Sequence, residues 1–262
     1  MPEYNLDEVH EKLTASLTGT AELAIKKFCQ TVPELPKQAY PEAMVGMGYQ
    51  YESFDMMFAL IAYHVQATHD ESDYRDRFMT MQNVLQPFCS EYGIEAGRPL
   101  ANPHRKLYLD FYESVTGKKW PSVYPPSSAG HWINNGRFWA DRMINNLKCH
   151  GMTSMDRAKY NLGYHWSVEY LSIGEFEQLR EGWRKAGFDG AYIQAHCDVE
   201  PEHANCATAA IAEFGIVDDA LVRRGIRDHE YDLVGFYTEN TELVLAEKRR
   251  FAVREKVREA VS

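Results

Sequence analysis

Apolar residues recur at steps of three and four along almost the whole chain, and this period is the strongest constraint on what it can fold into. Leu6, Val9, Leu13 and Leu17, then Ala21, Ala24, Ile25 and Phe28, trace the single stripe that a helix buries against a core. A strand needs alternation at period two, and no segment supports one comparably. The expected fold is therefore all-α. The first helical stretch should stop near Thr31, because Pro33 and Pro36 lack a backbone donor and bias the residues before them away from helical angles. Further helices are expected at about 42–69, 73–90, 104–116, 131–149, 154–172, 174–187, 189–213 and 217–253.

The clearest interruption is the loop 117–130, GKKWPSVYPPSSAG, whose prolines and paired serines break any period. The helices on either side are too few for two independent cores, so residues 1–262 read as one helical domain carrying this loop and a C-terminal helix at 217–253. Loops of such length in compact helical proteins often border a site. No repeat of fixed period is present, which disfavours a solenoid. The ending, EKRRFAVREKVREA, mixes charges of both signs and reads as a solvated helix.

Charge and composition remove several classes of partner. With 38 acidic against 28 basic side chains the net charge is −10, which opposes binding to a phosphate backbone, so no nucleic acid is expected. The start, MPEYNLDEVHEKL, lacks the cationic and apolar regions of a signal peptide, and the longest apolar run, Met56 to Tyr63, is too short to span a bilayer. No membrane and a cytoplasmic location are the expectation. Five cysteines, odd in number and without a C-x-x-C, fit reduced thiols better than a disulfide framework or a zinc ribbon.

Chemistry concentrates in YIQAHCDVEPEHANCA, residues 192–207. At about 100° per residue, Glu200 lies about 40° and His203 about −20° from His196, so three ligand-type side chains share one narrow helix face. Asp198 and Glu202, roughly 200° and 240° round, should face solvent. Imidazole with carboxylate and no thiolate suits iron, manganese or zinc. A buried pair of hydrogen-bonded histidines with one ion pair explains the same pattern equally well. Pro201 favours a functional reading, since an interior proline costs a helix about 3 kcal/mol and is retained where an altered ladder has a use. A metal pair needs further ligands from other helices. Glu169 lies on an amphipathic segment, with His165 one turn earlier as a ligand or a hydrogen-bond partner. Glu91, Glu95 and His104 cluster around a turn rich in glycine and proline.

Taken together, SEYG through PHRKLYLDFYESVTG, then EYLSIGEFEQLREGWRKAG, then HCDVEPEH resemble the haem-oxygenase-like di-iron oxidases and oxygenases. That family includes the Chlamydia death-domain-associated protein and an alkene-forming fatty-acid decarboxylase. The resemblance spans roughly residues 40–215 and rests on the order and separation of all three elements. It implies an all-α, haem-oxygenase-like helical bundle holding two Fe(II) ions, with O2 as co-substrate. Carried over residue by residue, it implies one iron held by Glu91, His104 and Glu169 and another by His196, Glu200 and His203, with carboxylates able to bridge. Two departures stand out. Glu200 occupies the place of the family's usual Asp, and the gap from Glu91 to His104 is long, which leaves Glu95 as the alternative ligand. A carboxylate that some members supply from an earlier helix has no certain match, with Glu52, Asp55 and His64 in its neighbourhood.

A ferritin-like bundle would need an E-x-x-H from each of two helices, and Glu200 to His203 is the single instance; Asp7 to His10 offers a D-x-x-H on an acidic, exposed-looking stretch. The zinc-protease, phosphate-loop and nucleophile-elbow motifs are absent. The resemblance implies an O2-dependent oxidase of specialised or antibiotic metabolism. Its substrate would be a small aliphatic amino acid, desaturated or closed to an azetidine, with fatty-acid decarboxylation or N-oxygenation as alternatives. It leaves room for an external electron donor and a homodimer. An amino-acid carboxylate would want an arginine, for which Arg137, Arg142 and Arg157 are candidates. A different class, a non-catalytic helical interaction protein, would keep the same histidines for structure.

Overall fold

The computed structural model describes residues 4–95, 98–99, 101–121 and 130–261. The middle of the expected loop, residues 122–129, and the side chain of Glu95 lie outside the described set.

Nine helices follow one another among the described residues: α1 (Leu6–Thr14), α2 (Thr20–Thr31), α3 (Tyr40–Gln66), α4 (Tyr74–Glu91), α5 (His104–Thr116), α6 (His131–Lys148), α7 (Ser154–Lys185), α8 (Ala191–Glu213) and α9 (Ala220–Val261). Short 3-10 turns at Val32–Glu34 and Lys37–Ala39 fill the proline-rich link after α2. Several ends are set by identifiable chemistry. Asn5, Asp73 and Thr153 each accept a hydrogen bond from a backbone N–H of the first turn of α1, α4 and α7.

Four expectations need correction. The stretch from Leu6 to Thr31 is two helices, broken where Gly19 takes a left-handed φ of 76°. The exposed N-terminus of α2 is then served from far away in sequence. Buried Glu230 of α9 accepts from the backbone N–H of Thr18 at 2.8 Å and of Thr20 at 3.0 Å. The expected helices 154–172 and 174–187 are a single α7, because Gly174 costs a helix only about 1 kcal/mol and buried residues on both sides of it, from Trp166 to Trp183, hold the two halves in line. The last helix runs to Val261 rather than to about 253. A two-residue antiparallel pair, β1 (Ile94–Glu95) with β2 (Arg98–Pro99), occupies the turn after α4 where no strand was expected.

The buried apolar side chains form two clusters. One gathers Phe28, Met44, Tyr108, Trp132, Trp183, Tyr192 and Phe236. The other gathers Met57, Phe58, Ile61, Met143, Trp166, Ile211 and Ile226. Helices α3, α6, α7, α8 and α9 contribute to both, so the seam between the clusters runs across their middles. Helix α6 reaches α3 through glycines, for a Cβ on Gly136 would collide with the carbonyl of Gly46. No helix among the described residues is long and apolar enough to cross a membrane.

Candidate metal centre

At the seam, α8 turns the expected face inward. His196, Glu200 and His203 are all buried, while Asp198 and Glu202 are exposed, as their angular positions require. The helix carries on through Pro201, whose ring sits on the solvent side. Helix α7 presents Glu169, only 3% exposed, from the opposite wall. Glu91 is the last residue of α4 and His104 the first of α5. Between them, the β1–β2 pair and a bond from Ala101 N–H to Gly93 C=O at 3.2 Å close the intervening loop and bring His104 back to Glu91. This closure accounts for the long gap noted in the sequence.

The six side chains fall into two groups, each offering donor atoms within 4.8 Å of one another: Glu91, His104 and His196, and Glu169, Glu200 and His203. The partition carried over from the resemblance is thus rearranged. His196 exchanges places with Glu169, because His196 stands one turn before Glu200 and reaches the α4–α5 side of the cavity. His104 and His196 have ring centroids 4.3 Å apart. Glu169 lies against α8 instead, with its Oε2 3.5 Å from His203 Nδ1. His165 belongs to neither group. Its Nε2 lies 3.0 Å from Glu169 Oε1, so it orients the carboxylate from behind.

Other contacts fix which nitrogens face inward. His196 Nδ1 donates to Tyr192 C=O at 2.9 Å, which leaves Nε2 as the free acceptor. Its ring is held flat on Phe176 at 4.0 Å between centroids. His104 Nδ1 stands 2.9 Å from Glu91 Oε2 without hydrogen-bond alignment. His203 Nδ1 and Glu200 Oε2 are also buried without a hydrogen bond, 3.6 Å apart. Three orphaned lone-pair atoms within one six-residue cluster, all nitrogen or carboxylate oxygen, fit a borderline-hard divalent ion such as iron, manganese or zinc.

Electrostatics agree with that fit. Burial, together with the neighbouring Glu169 and Glu91, pushes Glu200 well above the ordinary carboxylate range. Burial alone would lower His203, but the carboxylates of Glu169 and Glu200 beside it, 3.5 and 3.6 Å from its Nδ1, lift it to about 10. His196 falls to about 4 through burial and the nearby His104. Glu91 and Glu169, though buried, are held below the usual range by their histidine neighbours. Without a cation the cluster therefore keeps a proton where a metal would supply charge.

Both groups border one cavity, with about 80 Å³ open to the centres of water-sized molecules, walled by Phe54, Phe58, Val168, Phe176 and Tyr192. Its polar rim is made by Glu52, Asp55, Tyr92 and Arg105. Arg105 pairs with Glu52 and lies 4.7 Å over the Trp120 ring. The three arginines considered from sequence are elsewhere: Arg137 donates to Tyr49 at 2.6 Å, Arg142 to Asp232 at 2.5 Å and Arg157 to Met152 C=O at 3.0 Å. Arg105 was legible only through its place beside His104. Of the earlier-helix carboxylates, Glu52 and Asp55 reach the cavity and neither joins a ligand group, while His64 is buried away from it. His10, at the D-x-x-H, packs edge-on against Trp166 and Tyr170.

No family model matches the chain, and no curated protein does. Among solved structures, a CADD-like protein of unknown function from Nostoc punctiforme superposes with a TM-score of 0.64, covering 91% of this chain and 98% of that one at 14% identity. What the chain shares with that protein is the fold, an all-α haem-oxygenase-like helical bundle.

Proposed function

We propose that the chain is a non-haem di-iron oxidoreductase that uses O2 to oxidise a C–H or N–H bond of a small aliphatic amino acid. The observation that carries this reading is the pair of buried Glu/His groups bordering one cavity. Two Fe(II) ions held there by Glu91, His104 and His196 and by Glu169, Glu200 and His203 would supply electrons to O2, and with them an oxidising power no side chain has.

The protein's own contribution is shape and charge. Phe54, Phe58, Val168 and Phe176 keep water from the reacting bond, and their size confines the substrate to a small one. His165 and the Tyr192 carbonyl hold Glu169 and His196 in register. At the rim, Arg105 suits a substrate carboxylate, and the acids Glu52 and Asp55 suit an ammonium group. Loss of two hydrogens from the substrate leaves O2 two electrons short of water, which an external donor would provide.

Anaerobic titration should show close to two Fe(II) taken up per chain, matching the two groups. Aerobic incubation of the loaded protein with free amino acids and fatty acids, read by mass, distinguishes loss of two hydrogens, gain of oxygen and loss of CO2. No iron uptake, or no O2 consumption with any substrate, would refute the reading.

A further inference from the structure

Helices α3 and α4 run antiparallel, joined by the short link 67–73, and Phe58 of one stacks on Phe88 of the other at 5.2 Å between centroids. Their composition is unusual for helices at a surface. No Asp, Glu, Lys or Arg occurs from Met56 to Thr68 or from Phe78 to Ser90, in a chain of which 25% is charged. A helix with a solvated face normally carries its charges there, and one without them is normally covered on every side.

Here one side of each helix is left open. On α4, at about 100° per residue from buried Val84, Tyr74 and Tyr92 lie near 80°, Leu85 near 100° and Phe78 near 120°, a single stripe. Phe88, near 40°, sets that stripe on the side turned to α3, while Thr80, near −40°, donates to Ala210 C=O of α8. On α3, counted from Phe58, Tyr63 and Met56 lie near 140° and 160°, whereas Met57 and Ile61, near −100° and −60°, are fully buried. Antiparallel helices wind in opposite senses when viewed along one direction, so both stripes open on the same side, away from the core. Their six side chains are 40–64% exposed. At roughly 200 Å² for each large side chain, they leave about 600 Å² of mainly apolar surface open. That is the top of the range of about 300–600 Å² for the largest patch on a monomer. It also exceeds the roughly 500 Å² of apolar area on one side of a standard interface.

We propose that this face is where two copies of the chain pair, α3 and α4 of one against α3 and α4 of the other about a two-fold axis. Charge selects a second copy over other occupants. Two bodies of net charge −10 repel, so they meet most readily where each is neutral, as here. A soluble one-electron donor is met through smaller contacts that charge steers. An anionic lipid surface calls for a cationic border, whereas the link 67–73 carries exposed Asp70, Glu71 and Asp73 and the opposite end holds Glu52 and Asp55. Tyr92 also lines the cavity that the ligand groups border, so the second copy stands at the mouth of that cavity. The pairing is independent of the chemistry proposed there.

Sedimentation velocity of the whole chain at about 50 µM should give twice the chain mass. F78E/L85E changes two exposed positions, so circular dichroism should match wild type. Burying the unpaired charges at the contact should raise the dissociation constant at least about 100-fold and shift the species to monomer. Y63E, on the other helix, gives the same readout independently, whereas L23E, exposed on α2, should stay dimeric. A wild-type monomer at about 50 µM would overturn the proposal, as would a dimer that F78E/L85E and Y63E leave intact. Monomeric wild type that floats with phosphatidylserine-containing vesicles would overturn it too and assign the face to lipid.

Discussion

The rearranged partition of ligands makes a prediction that the sequence-based partition contradicts. Glu91 and His196 fall in one group, so E91Q/H196A should empty that group and leave Glu169, Glu200 and His203 intact. Glu91 and Glu169 fall in different groups, so E91Q/E169Q should weaken both. The Glu→Gln changes keep volume, and the only large packing loss is the His196 imidazole, which lies on Phe176 at 4.0 Å and against Tyr192 at 4.5 Å. Truncating it leaves a cavity worth about 2–4 kcal/mol, or a fall in Tm of roughly 4–7 °C for a chain of this size. Circular dichroism at low temperature should therefore still show a folded, helical protein. Anaerobic metal analysis after gel filtration should then give one Fe(II) per chain for E91Q/H196A and substantially less than one tight ion for E91Q/E169Q. One ion retained by E91Q/E169Q and none by E91Q/H196A would refute the grouping and restore the other partition.

Glu230→Ala should lower Tm by about 4–7 °C, since it strips charge-assisted bonds from the backbone N–H groups of Thr18 and Thr20 and is worth about 2–4 kcal/mol; an unchanged melting curve would show that α2 needs no such cap. Gly136→Ala forces a methyl group into the Gly46 carbonyl, so α3 and α6 must part, and urea unfolding should show a loss of about 2–3 kcal/mol, whereas the same change at helical Gly174, where a Cβ meets open space, should cost far less. His229, buried and bonded through Nδ1 to Ser167 Oγ at 2.9 Å, is lowered to about 3 by burial. A depressed folded-state value means the stability is present above the unfolded value of about 6.5 and drains away as pH falls toward 3. In metal-free protein, H229Q should therefore flatten the dependence of unfolding free energy on pH between 6.5 and 4 by up to about 1.4 kcal/mol per pH unit; identical slopes would refute it.

What the sequence carried well was whatever depends on local period. His196, Glu200 and His203 could be placed on one buried face, and Asp198 and Glu202 on the other, from angles alone, because a helix fixes those angles without reference to its neighbours. Helix α5 was bounded correctly since Pro103 and Gly117 bracket it chemically. What depends on tertiary contact was out of reach. The end of α1 looked continuous with α2 because nothing local announces that Glu230, some two hundred residues later, will satisfy the freed backbone. Gly174 looked like a break because its flanking contacts with α8 and α9 are not written beside it. The six ligand-type residues were identifiable by type and order, but their division into groups was not, since it depends on how far α8 is rotated against α4 and α5. Arg105 is hidden for the same reason: it is an ordinary charged residue in its local context and becomes unusual only through what surrounds it.

The position of the site between two hydrophobic clusters follows from cost. Inserting Glu169, Glu200, His196 and His203 into a single continuous core would leave carboxylates facing methyl groups on every side, at several kcal/mol for each unpaired charge. At a seam, each can turn its polar end toward another polar residue and its stem toward apolar walls such as Val168 and Phe176. The match is incomplete, as the orphaned atoms of His104, Glu200 and His203 show. The two helices that carry a ligand near an interior proline, α4 with Pro87 one turn before Glu91 and α8 with Pro201 just after Glu200, add a weakened hydrogen-bond ladder at the same place. Such a region gains more from a bound cation than a fully satisfied one would, because the ion supplies both the missing charge and the missing partners. Metal binding and local order in α4 and α8 are thereby coupled, so Pro201→Ala, which restores a backbone donor inside α8, should raise the Tm of the metal-free protein and narrow the further gain in Tm on adding metal; an unchanged gain would refute the coupling.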